Sequence, residues 1–355
     1  MTNRPSASQK SNVGRSEPLA CRPWKAALPP QKILAIRLQA LGDTVITLPY
    51  LQSLNARLPS TEIDFLTREE FADIPKNLTT FRHVYMIGGG QSPALQLASA
   101  VRLLPRLRAE GYDVVLDLQR NRVSRLVGFL LSPKSFAEFD RFSPATAGER
   151  TRRAIESLRL PSIGDGIVAV SVKDGLRGER ILKDAGADES NDLIVLNPAG
   201  SFVTKSWPLG NYVRFAQLWR EGVSADAQFL ILGLESLAPK GNFLREHLGK
   251  GVINLAGKTS ASEALNILRK TRLVLTEDSG LMHMAWVAGV PTLALFGSSL
   301  SAWSRPLGKA STCLSSADLE CGECLEPICK WGDVRCLTRY SPEFVVDQAR
   351  RLLRV

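Results

Sequence analysis

The segment TEDSGLMHMAWVAGVPTLALFG, residues 276–297, places an acid, a hydroxyl, a glycine and a histidine directly after an apolar run. Ser279 and Gly280 are predicted to begin a helix, and the free backbone N–H groups at a helix N-terminus bind anions. His283, in the first turn, would face the same anion, and Asp278 would meet a hydroxyl group beside it. In the structural alternative, Asp278 caps the helix and His283 is a core residue whose hydrogen bonds are satisfied.

A second loop, in NPAGSFVTKSWP, follows the apolar run LIVL. Gly200 and Ser201 are small enough for backbone N–H groups to approach an anion, and Lys205 adds a positive charge. The spacing differs from that of a P-loop. The alternative is an ordinary turn with a solvated lysine.

Two further acids follow predicted strands. Asp43 comes after Gly42 in RLQALGDTVITLP, where it either caps the next helix or faces a cleft as a general base. Glu235 follows Gly233 in LILGLES, a position from which carboxylates accept hydrogen bonds from a ribose diol in other nucleotide-binding folds. A solvated loop glutamate is the alternative for Glu235.

The elements that would position these loops are short apolar strands that alternate with amphipathic helices. The predicted strands of a first sheet are KILAIRL, EIDFLT, HVYMI and YDVVLDLQ, and those of a second are LIVLNPAG, QFLILG, VINLAG, RLVLTED and PTLALFG. This order is typical of an α/β protein with two Rossmann-like domains and parallel sheets. Ligands bind beyond the carboxyl ends of such strands, so we expect the two sheets to face a central cleft.

The domain boundaries follow from composition and periodicity. Residues 1–30 are rich in Ser, Pro and basic residues and are predicted to be a disordered N-terminal arm. We expect an N-terminal domain over residues 31–180, a C-terminal domain over residues 190–340 and a final helix over residues 341–355.

Bulk properties limit the partners. The chain has 355 residues, of which 44% are hydrophobic, and a formal net charge of +10. That charge favours an anionic partner such as a phosphate ester or an acidic membrane surface, although solubility alone also explains it. The sequence lacks dense Lys/Arg runs with interleaved aromatic residues, so nucleic acid is the least favoured partner. Without an apolar segment of spanning length or an apolar signal region, we expect a cytoplasmic protein.

Five of the six cysteines lie in one segment, residues 313–336. Cys321, Cys324, Cys329 and Cys336 follow the spacing Cys-x2-Cys-x4-Cys-x6-Cys, and four thiolates so spaced can bind zinc or, less often, an iron–sulfur cluster. A structural zinc ion is one expectation for this segment. Reduced thiols in a structural loop, or disulfides, are the alternatives.

Three motifs in register resemble glycosyltransferase family 9, the ADP-heptose:lipopolysaccharide heptosyltransferases. They are the Gly-Asp after the first strand, the Lys-x-Trp-Pro of KSWP and the Asp-Ser-Gly-x-x-His of DSGLMH. The resemblance runs from about Lys32 to the C-terminus. It implies a GT-B fold and inverting transfer of heptose from ADP-heptose to a lipid-linked inner-core acceptor of lipopolysaccharide.

The resemblance also implies roles for individual residues. Asp43 would be the catalytic base, and Lys205 would contact the diphosphate and support the departure of ADP. The remaining donor-binding residues would be Gly200, Ser201, Glu235, Lys258, Thr259, Asp278, Ser279, Gly280 and His283, with Lys258 and Thr259 flanking the adenine. The chain contains no Asp-x-Asp to hold a metal ion on the diphosphate, so no cofactor is expected for catalysis.

The acceptor side has less specific markers. Arg120, Arg122 and Arg125 in LQRNRVSR either bind phosphate or carboxylate groups of an inner-core acceptor or form the solvated basic face of a helix. The net positive charge would favour peripheral binding to the anionic inner leaflet. Two rival functions remain, a sugar-nucleotide epimerase, which needs no acceptor, and a family member that uses another sugar nucleotide.

Overall fold

A computed structural model describes residues 19–163, 175–188 and 190–354. The chain divides into two compact units, whose main segments are Ser6–Lys173 and Asp174–Val355. Each unit contains a six-stranded sheet. The helix Gly175–Asp184 belongs to the second unit, ahead of residue 190, where the C-terminal domain was predicted to begin.

The first unit contains a largely parallel sheet in the order β1-β6-β5-β2-β3-β4. Its strands are β1 (Cys21–Arg22), β2 (Lys32–Ile36), β3 (Glu62–Arg68), β4 (Val84–Ile87), β5 (Val114–Asp117) and β6 (Ser135–Glu138). Its helices are α1 (Leu41–Arg57), α2 (Asp73–Lys76), α3 (Pro93–Glu110), α4 (Arg122–Leu131) and α5 (Ala147–Ser157). The central strands β2 and β5 are almost wholly buried and nearly continuous in apolar residues, as expected when helices cover both faces of a sheet.

The predicted disordered arm is partly ordered. Cys21 and Arg22 form β1, which pairs antiparallel with β6 and extends the sheet at its edge. The Trp24 N–H donates to the Leu158 carbonyl at 2.8 Å, so the chain is also held after this strand. The prediction is therefore wrong for residues 19–30, and residues 1–18 lie outside the described residues.

The second unit contains a fully parallel sheet in the order β12-β11-β10-β7-β8-β9. Its strands are β7 (Leu193–Asn197), β8 (Gln228–Ile231), β9 (Val252–Asn254), β10 (Leu273–Glu277), β11 (Thr292–Leu295) and β12 (Ser311–Leu314). Its helices are α6 (Gly175–Asp184), α7 (Leu209–Gly222), α8 (Ala238–Leu248), α9 (Ala261–Leu268), α10 (Gly280–Val287), α11 (Ser301–Ser304), α12 (Arg335–Thr338) and α13 (Pro342–Leu353).

The final predicted helix is α13, and it belongs to the core of the second unit. Val345 and Ala349 on α13 are completely buried in the same hydrophobic cluster as Phe215 and Trp219 on α7. Ser341 caps the helix by accepting a hydrogen bond from the Phe344 N–H. Packing on α7 therefore fixes the C-terminus to the second unit.

Besides β1, two further strands, β6 and β12, were not predicted. Their sequences, SFAE and STCL, are short and mix polar with apolar residues. Strand β12 is the last strand of its sheet, and β6 has only the short strand β1 beyond it. Such strands contain fewer consecutive apolar residues, so the sequence pattern that would predict them is weak.

Candidate active site

The predicted strand-to-helix turn follows β10. Ser279 is the N-cap of α10, and its hydroxyl accepts a hydrogen bond from the Met282 N–H at 3.3 Å. Asn197, at the end of the neighbouring strand β7, donates to Ser279 Oγ at 2.8 Å. The helix cap is therefore Ser279, and the alternative in which Asp278 caps the helix is wrong.

Asp278 instead pairs with Lys205. Lys205 Nζ lies 3.0 Å from Asp278 Oδ2, and the same oxygen accepts a hydrogen bond from the Ser299 hydroxyl at 2.6 Å. Burial would raise the pKa of Asp278, but the Lys205 charge and the Ser299 hydrogen bond hold it below its ordinary value. Two predicted residues from different loops, 73 positions apart, are thus brought together beside the N-terminus of α10.

A second acid at the end of β10, Glu277, is completely buried and was missed by the sequence analysis. Its Oε2 accepts a hydrogen bond from the Gly200 N–H at 2.5 Å. Its Oε1 accepts from the Trp207 N–H at 2.6 Å and from the Tyr212 hydroxyl at 3.2 Å. Burial raises the pKa of Glu277 to about 7, although these donors oppose the shift.

Gly200 lies where no larger residue fits. A Cβ at this position would be 2.4 Å from the Lys205 carbonyl oxygen, 2.6 Å from Ser206 Oγ and 2.7 Å from Glu277 Oε2. The loop therefore folds closely onto itself, and the Gly200 N–H, which was predicted to approach a bound anion, donates to Glu277 instead. The neighbouring Ser201 is exposed.

His283 is 7% exposed, and its Nδ1 accepts a hydrogen bond from Trp286 Nε1 at 3.2 Å. In the neutral ring the proton is then on Nε2, which is the nitrogen that can donate to an anion. The histidine is therefore a core residue on the side of Trp286, as in the structural alternative, and its contact with a bound anion stays a prediction.

The loops after β8 and β9 lie side by side. The Gly257 N–H donates to the Gly233 carbonyl at 2.8 Å, and a Cβ on Gly257 would lie 2.9 Å from Glu235 Cα. Glu235 thus neighbours the loop that carries Lys258 and Thr259. The predicted contacts of Glu235 with ribose, and of Lys258 and Thr259 with adenine, stay predictions. One nucleoside could reach both loops, because the loops are neighbours.

In the first unit, Asp43 lies in the first turn of α1. Its Oδ2 accepts a hydrogen bond from the Ala40 N–H at 3.1 Å and lies 3.0 Å from Arg37 Nη2. The Asp43 side chain is 42% exposed, whereas that of Arg37 is 7% exposed. Asp43 therefore helps to start the helix and is also an accessible carboxylate held beside a buried cation, so this placement accommodates both predicted roles.

Arg37 belongs to a group of guanidinium side chains that the sequence analysis did not identify. Arg37 and Arg150 each lie over the Phe139 ring, 4.9 Å from its centroid. Burial, and next the charge of Arg37, lowers the pKa of Arg150 to about 10. The one signal in the sequence is an arginine that follows the apolar residues of KILAIRL. These cations provide positive charge near Asp43.

Two of the three predicted acceptor arginines have a carboxylate partner within the protein. Arg120 is buried, and its Nε lies 3.1 Å from Glu138 Oε2. Arg125 Nε lies 2.8 Å from Glu138 Oε1. Arg122 is exposed. Acceptor binding by this group therefore rests on Arg122, while the other two hold α4 and its preceding turn to β6.

Comparison with known proteins identifies the family. Residues 173–334 match the family described as Glycosyltransferase family 9 (heptosyltransferase). Lipopolysaccharide heptosyltransferase 1 of Pseudomonas aeruginosa is 26% identical over 91% of this chain and 98% of its own length. The chain is therefore similar to glycosyltransferase family 9 over residues 173–334, and to heptosyltransferases along most of its length. The predicted recognition is confirmed, and the protein is a glycosyltransferase.

Solved structures agree with this glycosyltransferase in fold. A glycosyltransferase family 9 protein from Veillonella parvula gives a TM-score of 0.79 at 19% identity, covering 91% of this chain and 97% of that one. The E. coli ADP-heptose lps heptosyltransferase II gives a TM-score of 0.69 at 20% identity, covering 91% and 98%. The glycosyltransferase therefore has the predicted GT-B class of fold, with two α/β units each built on a parallel sheet.

The cysteine-rich segment of the glycosyltransferase supports the donor loop. The Thr204 hydroxyl, next to Lys205, donates to the Glu326 carbonyl at 2.6 Å. The Leu325 N–H donates to the Ser298 carbonyl at 2.8 Å, and the Ser298 N–H donates to the Thr204 carbonyl at 2.9 Å. The backbone between Cys324 and Cys329 therefore packs directly against the loop that presents Lys205.

The four cysteines of the predicted metal site are free thiols, each half-buried. Among the described residues, only Asp64, His83 and Glu110 form a set of three ligand atoms within 4.8 Å of one another. In that set, Arg82 binds both carboxylates, so an arginine already occupies the position of a cation. The cysteine sulfurs are more widely spaced than in a formed tetrahedral site, and metal binding there stays a prediction.

Proposed function

We propose that this glycosyltransferase transfers a heptose, with inversion, from ADP-heptose to a saccharide acceptor of the lipopolysaccharide inner core. The observation that carries the proposal is that the Lys205–Asp278 ion pair lies beside the N-terminus of α10, at the carboxyl end of β10. Support comes from relatives aligned along nearly the whole chain, which are lipopolysaccharide and lipooligosaccharide heptosyltransferases.

Departure of ADP places negative charge on the β-phosphate oxygen as the bond from that oxygen to the anomeric carbon breaks. Lys205 and the N–H groups at the start of α10 would stabilise this charge. Asp278 holds the Lys205 ammonium in position and offers its oxygens to sugar hydroxyls. With the base, these groups would supply on the order of 5–9 kcal/mol of barrier reduction.

The new glycosidic bond forms between the acceptor oxygen and the anomeric carbon, on the face opposite the phosphate. Asp43 would accept the proton of the attacking hydroxyl, because its carboxylate is exposed and is held in place beside the Arg37 guanidinium. The positive charge of Arg37 and Arg150 suits an acceptor that carries carboxylate or phosphate groups near this hydroxyl.

Thermal shift with a panel of nucleotide sugars, followed by assay of the stabilising donors with truncated lipopolysaccharide acceptors, tests the proposal. We expect ADP-heptose to stabilise the enzyme most and to give a product only when acceptor is present. Product formation from donor alone would favour the epimerase alternative, and stabilisation by a different sugar nucleotide would replace heptose as the transferred group.

We also propose that the first unit binds the anionic cytoplasmic membrane surface through α3 and α4. No helix in the described parts of the chain has the length and apolarity to cross a bilayer. Leu95, Leu97 and Val101 on α3 are 59%, 39% and 50% exposed, and Phe129 on the adjacent α4 is 79% exposed. Arginines on the same helices are exposed too, at positions 102, 106, 108, 122 and 125. Helices that expose both apolar side chains and arginines are typical of an interfacial surface.

Co-sedimentation with anionic phosphatidylglycerol vesicles tests this surface. The double variant Val101→Asp with Phe129→Asp should lose binding, whereas Leu28→Asp, which changes a leucine that is 78% exposed elsewhere in the unit, should keep it. Equal binding by both variants would contradict the assignment.

A structural zinc ion in the cysteine-rich segment is our proposal for Cys321, Cys324, Cys329 and Cys336. Backbone N–H groups of Val334, Trp331 and Gly332 hold the pKa of the Cys329 thiol below its ordinary value, which favours the thiolate form that binds zinc. Binding would draw the four sulfurs toward the roughly 2.3 Å Zn–S distance and would stiffen the support of the Lys205 loop.

Metal analysis of enzyme purified under reducing conditions, without chelator, tests the zinc site. We expect about one zinc per chain, its loss in Cys329→Ser, and its retention in Cys313→Ser, since Cys313 lies on β12 outside the spacing. A wild-type enzyme without metal, or one in which the Cys329→Ser variant keeps its metal, would reject the site.

A further inference from the structure

Glu277 joins the two ends of the loop that carries Lys205. The loop leaves β7 after Asn197 and reaches α7 at Leu209. Near its start the Gly200 N–H binds one carboxylate oxygen, and near its end the Trp207 N–H binds the other. One side chain therefore spans a loop that lies 70 to 77 residues away along the chain.

Glu277 and Asp278, at the end of β10, hold different parts of the loop. Glu277 contacts the backbone of the loop, and Asp278, the next residue, contacts the Lys205 ammonium. Lys240 supplies a further tie, because its Nζ donates to the Pro198 carbonyl at 2.7 Å. Two residues at the end of β10 thus fix the position of Lys205, Glu277 through the loop backbone and Asp278 through the ammonium group.

We propose that Glu277 is a positioning residue for the donor diphosphate, because its buried carboxylate holds the backbone between Gly200 and Trp207 in the shape that presents Lys205 to the anion. This inference rests on the proposed use of a nucleotide diphosphate donor. It assigns Glu277 no contact with the substrate.

The chemistry of the contact requires a carboxylate. Both oxygens accept from backbone N–H groups, which can only donate. Glutamine has the same shape but offers one acceptor and an NH2 group, so one of the two N–H groups would face a donor. Burying two hydrogen-bond donors that face each other without an acceptor is costly. The loop would move to avoid this contact.

Tyr212 provides an independent way to weaken the same contact. Its hydroxyl donates to Glu277 Oε1, and the residue lies on α7, completely buried and out of reach of any ligand. An effect of Tyr212→Phe on donor binding would therefore act through Glu277.

Calorimetric titration with ADP and steady-state kinetics with the donor test the inference, at about pH 8 so that Glu277 is ionised. We expect Glu277→Gln to weaken ADP binding about tenfold or more and to raise the donor KM, with a smaller change in kcat and in the acceptor KM. Tyr212→Phe should weaken ADP binding by about threefold. Backbone hydrogen exchange between Gly200 and Trp207 should be faster in Glu277→Gln.

Asp192→Asn is the matched control. Asp192 immediately precedes β7, at the opposite end from the loop, and pairs with Arg272. This variant removes a carboxylate from the same unit and should keep the ADP affinity of the wild type.

The outcomes separate this inference from the proposed function. If the wild type binds ADP, and Glu277→Gln and Tyr212→Phe bind it within about twofold of the wild type, the role of Glu277 is overturned while the proposed function stands. A wild type that binds no ADP overturns both. If Glu277→Gln does not fold, Tyr212→Phe alone decides, and unchanged affinity in that variant overturns the inference.

Discussion

Asp117 in the first unit and Glu277 in the second are both completely buried at the ends of central strands, β5 and β10. Burial raises the pKa of both, to about 6 for Asp117 and to about 7 for Glu277. Asp117 Oδ1 binds the N–H groups of Gln119 and Arg120, two and three residues further on. Glu277 binds N–H groups on a loop far away in sequence, so it couples separate elements whereas Asp117 shapes its own turn.

The two acids also differ in how well an amide could replace them. The second oxygen of Asp117 accepts from the Ser124 hydroxyl at 2.9 Å, and a hydroxyl can reverse its role and accept from an NH2 group. Both oxygens of Glu277 face N–H groups, which cannot reverse. Asparagine could therefore replace Asp117 and keep its hydrogen bonds. Glutamine could not replace Glu277 without placing its NH2 group against a backbone N–H.

The largest effect is expected at the exposed acid of the first unit. Asp43→Asn should reduce turnover by about 10²–10⁴-fold, because it removes the proposed proton acceptor, and should leave ADP affinity unchanged because the proposed nucleotide site belongs to the second unit. Steady-state kinetics and calorimetry measure the two quantities. Asp113→Asn is the control, because Asp113 immediately precedes the N-terminal end of β5 and pairs with Lys134. This variant should keep wild-type turnover. Wild-type turnover in Asp43→Asn would leave Asp43 only its role in starting α1.

The pH dependence of stability should distinguish Glu277 from its glutamine variant. A carboxyl group whose pKa is raised on folding binds its proton more tightly in the folded state, so its contribution to stability is lost as the pH rises. Between pH 4.5 and about 7, the free energy of unfolding of the wild type should fall relative to Glu277→Gln by on the order of 3 kcal/mol. Urea unfolding across this range measures the difference. Parallel curves for the two proteins would contradict the raised pKa.

Lys205 tests the side-chain half of the contact made by β10. Lys205→Ala should weaken ADP binding by roughly 1.5–3 kcal/mol, the usual size for a hydrogen bond to a charged group. Lys250→Ala removes an exposed lysine after α8 and is the control for a general change in net charge. Calorimetry with ADP gives the affinities. An equal loss in both variants would indicate long-range electrostatics rather than contact at the loop.

The smallest effect is expected for Asp117→Asn. Its amide oxygen can keep both backbone N–H groups, and Ser124 can accept from the new NH2 group, so the free energy of unfolding at neutral pH should change by less than about 1 kcal/mol. Chemical unfolding measures this change. A loss well above about 1 kcal/mol would show that burial, rather than the type of partner, determines whether an amide can replace Asp117.

Much of the architecture could be predicted because burial leaves a local signature. Strands β2, β5, β7 and β10 are covered on both faces and appear as continuous apolar runs, so their positions and the loops after them were predicted. The motif residues Asp43, Lys205, Asp278 and Ser279 were found for the same reason, because each follows such a strand or belongs to the loop after it. The helix start at Ser279 follows from the preference of serine for N-caps.

The contacts among those loops depend on which strands are neighbours, and local patterns carry no record of strand order. β7 lies beside β10, and this adjacency pairs Lys205 with Asp278 and places Glu277 against Gly200. In the first unit, the stacking of Arg37 and Arg150 on Phe139 likewise joins separate elements. Strand order is determined by packing over the whole sheet, so these partners, and the pKa values that they and their burial produce, appear only once the chain is folded.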